Sequence, residues 1–329
     1  MISITQRLRP YTREPGKFIP IPGSTLYAQI FPGLWRLFSQ SHELIAEESL
    51  AIPGPSKRFV VFQDLHRGGL AIHSEYYKYY LLPSGACEKS TQGLPSASSA
   101  RPLLFLGVHK HADWQKIRSR QDLKEILPFW FRLGAMVPNS CQDEEVLNLG
   151  TGKLLAAAQE KILLRDKVTI CSTLLSLAMA GFSDCFLPRL YDEDYQGILP
   201  KNLEKEKSVP FILLRKSFPI LQEIFVRSQD SILEILPSLP PEFPCGRLIG
   251  VSLPHIGTLS LVWTKKTIRQ LALTATHTTT ILLDCGSSVS RCRQRQWIGK
   301  RQPGKQTLSL GESVEIKAGT TYLWDCFCK

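Results

Sequence analysis

No apolar run in this sequence approaches the roughly 20 residues that a membrane-spanning helix needs. The longest candidate, 168–181, is interrupted by Cys171, Ser172, Thr173 and Ser176. The N-terminus, Met1-Ile-Ser-Ile-Thr-Gln-Arg-Leu-Arg, has no signal-peptide core. The expectation is no membrane partner and no Sec-dependent secretion. The nine cysteines contain no CxxC pair, which excludes a zinc ribbon. Their odd number, with no Asn-x-Ser/Thr acceptor anywhere, points to free thiols in a reducing cytoplasm. Cys326-Phe-Cys328 offers two thiolates at the fraying end of the sequence, a poor metal site. Also lacking are a phosphate loop, a dinucleotide fingerprint and a Gly-x-Ser-x-Gly elbow, so nucleotide-dependent and acyl-transfer enzymes drop out. No metal and no cofactor are expected. No repeat recurs at a fixed period.

What is present is an ordinary globular composition, 43% hydrophobic and 21% charged over 329 residues. That excludes wholesale disorder and leaves room for one large domain or two to three small ones. Residues 1–112 read as a β-rich N-terminal domain. Ser24-Thr-Leu-Tyr-Ala-Gln-Ile-Phe alternates up to Pro32-Gly33, and Leu34-Trp-Arg-Leu-Phe resumes the strand. Arg58 to Gln63 and Leu70 to His73 flank a Gly68-Gly69 break, a hairpin pattern. Leu103 to Val108 reads as one more strand of the same sheet.

Residues 113–230 read as a helical region. Trp114, Ile117, Leu123, Ile126 and Leu127 fall at helical spacing, and Pro128 is expected to kink or restart the helix. Leu154 to Leu164 is strong by propensity, and 168–181 is apolar enough to be the buried helix of the group. A further amphipathic helix is expected from Phe218 to Val226. Residues 231–329 return to short β-typed segments with turn signals between them, the pattern of an antiparallel sandwich. The fold class is therefore α+β: an N-terminal antiparallel β domain, a short helical region and a C-terminal antiparallel β-sandwich.

The basic excess is local. Arg291, Arg293, Arg295, Lys300, Arg301 and Lys305 fall in one stretch without an acid, and they supply more than half of the +11 net charge. The spacing of the three arginines puts their guanidinium groups on one strand face, a candidate anion-binding surface. Only Trp297 offers a nearby aromatic platform, which disfavours nucleic acid.

The most specific stretch is the joint before the last β region. It reads Glu234-Ile-Leu-Pro237-Ser-Leu-Pro240-Pro-Glu-Phe243-Pro-Cys-Gly246-Arg-Leu-Ile-Gly250-Val and runs through Gly257 to Leu261-Val-Trp263-Thr-Lys265. This resembles the barrel-to-sandwich closing segment of inverting (α/α)6-barrel glycoside hydrolases of the α-L-fucosidase type, family ninety-five of that classification. The family order is a strand ending Leu-Pro-Ala-Leu-Pro, an aromatic, a glycine turn, a Gly-Leu pair and a strand ending in Trp. Phe243 stands where the family usually has Trp. The prolines are expected to fix an extended exit, and Gly246 and Gly250 to supply turns.

The resemblance implies a carbohydrate partner and an inverting glycosidase ancestry. Two departures bear on activity. A complete barrel has twelve helices, on the order of 190 residues at average helix and loop lengths. About seven at most fit in 113–230, so the barrel is truncated, completed by a partner such as a second copy of the chain, or replaced by a smaller helical bundle. Aligned on Phe218, the family's catalytically important Asp is replaced by Arg215, within Leu213-Leu-Arg215-Lys-Ser-Phe218. A cation cannot deprotonate water.

The candidate carboxylates are Asp192, Glu193 and Asp194, because inversion needs an acid and a base about 6.5–9.5 Å apart. Tyr191 and Tyr195 flank them as candidate sugar-stacking rings. Asp64-Leu-His66 reads as hairpin chemistry, His109 and His111 as a solvent-facing pair, and Phe129-Trp-Phe131 as core. The reading that results is a glycoside-hydrolase-like protein, a degenerate or catalytically inactive relative that binds carbohydrate or serves as a scaffold, with turnover left undecided. The alternatives are an active small inverting glycosidase on fucosyl- or galactosyl-type glycans, and a nucleic-acid or acidic-polymer binder using 291–305.

Overall fold

The computed structural model describes residues 2–4, 7–89, 102–138, 150–191, 210–287, 289–298 and 306–328. The first nine strands are β1 (Tyr11–Thr12), β2 (Phe18–Pro20), β3 (Tyr27–Ile30), β4 (Leu34–Phe38), β5 (Leu44–Ser49), β6 (Val60–Gln63), β7 (Leu70–His73), β8 (Lys78–Leu81) and β9 (Cys87–Lys89). They form two antiparallel sheets, one ordered β2-β3-β4-β5 and the other β1-β6-β7-β8-β9. The turn between β6 and β7 is hairpin chemistry. Asp64 Oδ1 accepts the His66 and Arg67 N–H groups at 3.2 and 3.0 Å. Gly69 sits at φ +77°, with its Cα side so close to the Leu81 carbonyl that a Cβ would lie 2.5 Å away.

The strand at β10 (Leu103–Phe105) departs from expectation. It does not extend the N-terminal sheets but pairs with the C-terminal strand β13 (Gly246–Leu253), with Leu104 opposite Leu248. Its short alternating pattern suits any sheet edge, and tertiary packing selected the distant one.

Five helices follow among the described residues: α1 (Trp114–Arg120), α2 (Leu123–Met136), α3 (Thr151–Leu163), α4 (Ile170–Gly181) and α5 (Phe211–Glu223). Asp113 and Asp122 cap α1 and α2, accepting the N–H groups of Gln115 and Lys124. Pro128 neither ends nor restarts α2, which continues through it. The buried helix is α2 rather than α4: twelve of its fourteen residues are buried. α4 buries Ile170, Leu174, Leu177 and Ala178 on one face and turns Ser172 and Ser176 to solvent. Gly134 lets α2 approach α5, since a Cβ there would lie 2.6 Å from the Leu214 carbonyl. At the same crossing the Trp130 indole donates to Ser217 Oγ at 2.7 Å. Phe129, Trp130 and Phe131 are all core.

α5 also starts and stops earlier than its pattern suggested. Residues 226–229 form a strand, β11 (Val226–Gln229), paired with β12 (Ile232–Ile235) through the two-residue turn Asp230–Ser231. The remaining strands are β14 (Gly257–Thr264), β15 (Thr267–Ala275), β16 (Thr279–Asp284), β17 (Arg291–Ile298), β18 (Gln306–Ser309), β19 (Ser313–Ile316) and β20 (Thr320–Cys328). Seven strands are ordered β10-β13-β14-β15-β20-β17-β18, and four β11-β12-β16-β19. Within the smaller sheet β12 and β16 run parallel, the one departure from antiparallel pairing. The α+β architecture is thus N-terminal sheets, a central helical group and a C-terminal sandwich of two sheets. One continuous hydrophobic core runs through all three parts.

Candidate functional site

The residues singled out in the sequence fall in different places. Asp192, Glu193, Asp194 and Tyr195 lie outside the described residues, as do Lys300 and Arg301. Tyr191 is half-buried beside Gly150, and burial pushes its phenol above the usual range. Arg291, Arg293 and Arg295 do share the outer face of β17, with Cys292 and Gln294 turned inward. Two of the three are already committed. Asp325 on the neighbouring β20 accepts from Arg293 Nε at 2.7 Å and Arg293 Nη2 at 3.0 Å, and it also binds Arg295. Arg215 and Lys216 lie on α5 and line neither of the two cavities described next.

The first cavity is a recess of about 300 Å³ between the N-terminal sheets and the helices. Its polar groups come from three separate segments: Glu14 and Lys17 before β2, Gln115 and Arg118 on α1, and Asp184 just after α4. The Lys17 ammonium touches Asp184 Oδ2 at 2.5 Å and Glu14 Oε2 at 3.0 Å. Those hydrogen bonds, Asp184 first, raise the Lys17 pKa and keep it charged. Arg118 reaches the other Asp184 oxygen at 3.7 Å.

Its walls are held rigidly. The Trp114 indole donates to Gln63 Oε1 at 2.6 Å and stacks on Phe186, which stacks on Phe182 at 4.1 Å. Cys185 and Phe186 take left-handed backbone at φ +55° and +63°, a conformation that costs energy in residues other than glycine. Burial pushes the Cys185 thiol up to about 12, so it stays protonated and is no nucleophile at neutral pH.

The recess does not have the spacing of an inverting acid–base pair. Both carboxylate oxygens contact one ammonium, so they lie closer than the roughly 6.5–9.5 Å an inverting pair leaves for its water. Carboxylates, an ammonium, a guanidinium, amides and hydroxyls line it, so it offers both donors and acceptors.

The second cavity is a cleft of about 740 Å³ at the joint itself. One wall is the segment that carries the family resemblance, from Glu234 through Pro241. The others are the α3–α4 turn, the β14–β15 turn and the end of β16. The joint is not the extended exit the prolines suggested. It makes two turns, with Leu236 at φ +58° donating its N–H to the Phe225 carbonyl at 2.7 Å and Ser238 Oγ donating to the Ile162 carbonyl at 2.8 Å. Gly246 is not a turn residue either; it opens β13 under the Trp263 indole. Gly250, at φ +70°, does serve a local irregularity, the bulge where the β13–β14 register shifts.

Other charged groups are structural. Asp64 is buried and bound to Arg7 at 3.0 Å, and His66 Nε2 accepts the Leu8 N–H at 2.9 Å. Glu125, also buried, takes Arg120 and Lys110 at 2.6 and 2.8 Å. His109 and His111 face solvent side, and among the described residues no three His, Cys, Asp or Glu cluster as a metal site would require. Among the same residues no helix is long and apolar enough to cross a membrane.

Periodicity gives no hint of the recess. Lys17 and Asp184 are 167 positions apart, and neither belongs to a motif. The only local signal was the run of aromatics near Asp184 and Trp114. No family model matches the chain, and no curated protein matches it.

Proposed function

We propose that this protein is a glycoside-hydrolase-like carbohydrate-binding protein that has lost turnover, its helical group being the remnant of an (α/α) barrel. The observation that carries the reading is Lys17, which ties Glu14 and Asp184 together at 3.0 and 2.5 Å in the recess. The recess they form, about 300 Å³, lies at the lower end of the range small-molecule sites occupy and suits one sugar residue. Further support comes from the ordered joint residues Leu236 to Trp263 and from Arg215 in place of a catalytic acid. An acidic-polymer role for 291–305 is favoured less, because Asp325 occupies Arg293 and Arg295.

Calorimetric titration with L-fucose and D-galactose, beside a panel of fluorogenic α- and β-glycosides, tests this. The expected result is saturable binding by the wild type, weakened in Asp184→Asn, with no hydrolysis of the panel. Hydrolysis that disappears in an Asp192/Glu193/Asp194 triple alanine variant would replace it with an active glycosidase. A folded sample that neither binds nor cleaves would leave a scaffold role. Binding to a polyanion that falls steeply with salt would revive the basic strand.

A further inference from the structure

The joint cleft differs from the recess in its charge. Of the side chains lining it, Arg165, Lys167 and Lys266 are cationic, while Glu234 and Asp284 are acidic. Glu234 is already spent: one oxygen is bound to Arg165, and the other lies 3.7 Å from Arg227 behind it. Asp284 uses one oxygen to accept the Gly286 N–H at 2.8 Å. Lys167 and Lys266 have no acidic partner among the described residues, so the cleft carries a positive surplus at its rim. Below them the floor is apolar, formed by Leu236, Pro237, Leu239 and Ile268.

A second observation is independent of charge. Three residues at the cleft take left-handed backbone without being glycine: Arg165 at φ +56°, Leu236 at φ +58° and Lys266 at φ +59°. At Arg165 it is the left-handed cap that ends α3, with the Asp166 N–H returning to the Lys161 carbonyl, and at Lys266 it is the tight β14–β15 turn. Here they bring a guanidinium, an apolar floor residue and an ammonium to one cavity.

We propose that the joint cleft binds an anionic sugar, one carrying a carboxylate or a phosphate, as a site separate from the recess. The anion lies between Lys167 and Lys266, as a charge-assisted contact to two ammonium groups. The C–H face of the ring packs on Leu236 and Ile268. Ring hydroxyls meet Thr267, Ser287 and the second oxygen of Asp284. The sugar part rests on the carbohydrate reading above; the anion part does not.

The test is titration of the full chain with D-glucuronate, D-glucose 6-phosphate, D-glucose and inorganic phosphate, each at low and high salt. At least one charged sugar is expected to bind about tenfold or more tightly than D-glucose, the worth of a charged contact. Lys167→Glu with Lys266→Glu should abolish that preference, and Lys167→Gln alone should reduce it, with thermal unfolding near wild type. Glucuronate against glucose 6-phosphate tells a carboxylate ligand from a phosphate one. Equal affinity for D-glucose, or indifference to the lysine changes, overturns the proposal. So does inorganic phosphate binding as tightly as any sugar. Lys17→Gln separates the two readings: it should weaken fucose or galactose binding and leave glucuronate binding unchanged.

Discussion

The indole of Trp263 lies directly against Gly246. A Cβ at that position would sit 2.3 Å from Trp263 Cζ2 and 2.8 Å from the Phe105 carbonyl oxygen. The indole is fully buried, donates to the Phe243 carbonyl at 3.0 Å and packs on the Phe225 ring at 5.4 Å. Three residues of the joint therefore hold one another, and β10 from the first half of the chain closes the same contact. Gly246→Ala should destabilise the fold by about 1–3 kcal/mol, the usual cost of overpacking. Gly33→Ala, where a Cβ meets nothing within 4 Å, should stay within about 0.5 kcal/mol. Urea denaturation of the two variants checks the difference.

His73 makes stability depend on mildly acidic pH. Burial, reinforced by the Arg9 charge, pushes its imidazole down to about 4. Its Nε2 is buried without a hydrogen-bond partner, and its ring meets Phe62 at 5.2 Å. The folded protein keeps it neutral, whereas the unfolded chain takes up a proton near the ordinary value of about 6.5. Stability from this group is thus complete above about pH 6.5 and is lost progressively as pH falls toward about 4. His73→Phe should flatten part of that slope. Denaturant midpoints measured across the window would reveal an unchanged slope if the assignment is wrong.

Asp325 acts at lower pH. The hydrogen bond from Arg293, and then the Arg295 charge, hold its carboxyl below the usual carboxylate range. A depressed carboxylate stabilises the fold above its unfolded value, about 3.9, and that contribution disappears as pH falls below it. Asp325→Asn should therefore be less stable than wild type at neutral pH, with the gap closing in acid. It should also release Arg293 and Arg295, so heparin retention at low salt is expected to rise.

The β14–β15 turn trades stability for its lysines. Lys265 and Lys266 sit at φ +52° and +59° between the paired Thr264 and Thr267, the geometry that Asn-Gly fills best. Lys265→Asn with Lys266→Gly should raise stability by about 1–2 kcal/mol, since non-glycine left-handed residues cost that order each. The same variant should lose affinity for a charged sugar. A melting temperature that rises while glucuronate binding is untouched would separate the strain from the site.

Local signals located most elements but assigned several roles wrongly. Alternation at Tyr27 to Ile30, at Leu34 to Phe38 and along β17 is legible, because a strand's side chains alternate whatever it pairs with. The caps at Asp113 and Asp122 are equally local. Gly246, by contrast, reads as a turn by residue type, and only the Trp263 ring beside it makes it a packing glycine. The stretch 226–229 continues a helical pattern, yet Asp230–Ser231 folds it back as β11 onto β12. The apolar helix α4 looks like the natural centre, but its Ser172 and Ser176 face is exposed, and α2 took that place.

What the sequence alone determined is the β–α–β order, the inward alternation of Cys292 and Gln294 between outward arginines, and the proline-rich joint. These follow from backbone geometry within a few residues. What only the tertiary structure decided is which distant groups meet. Lys17 finds Asp184 across 167 positions, Asp325 bonds to two arginines of the next strand, and Leu104 pairs with Leu248. Such meetings are chosen by burial of apolar surface summed over the whole core, to which each polar contact then adapts.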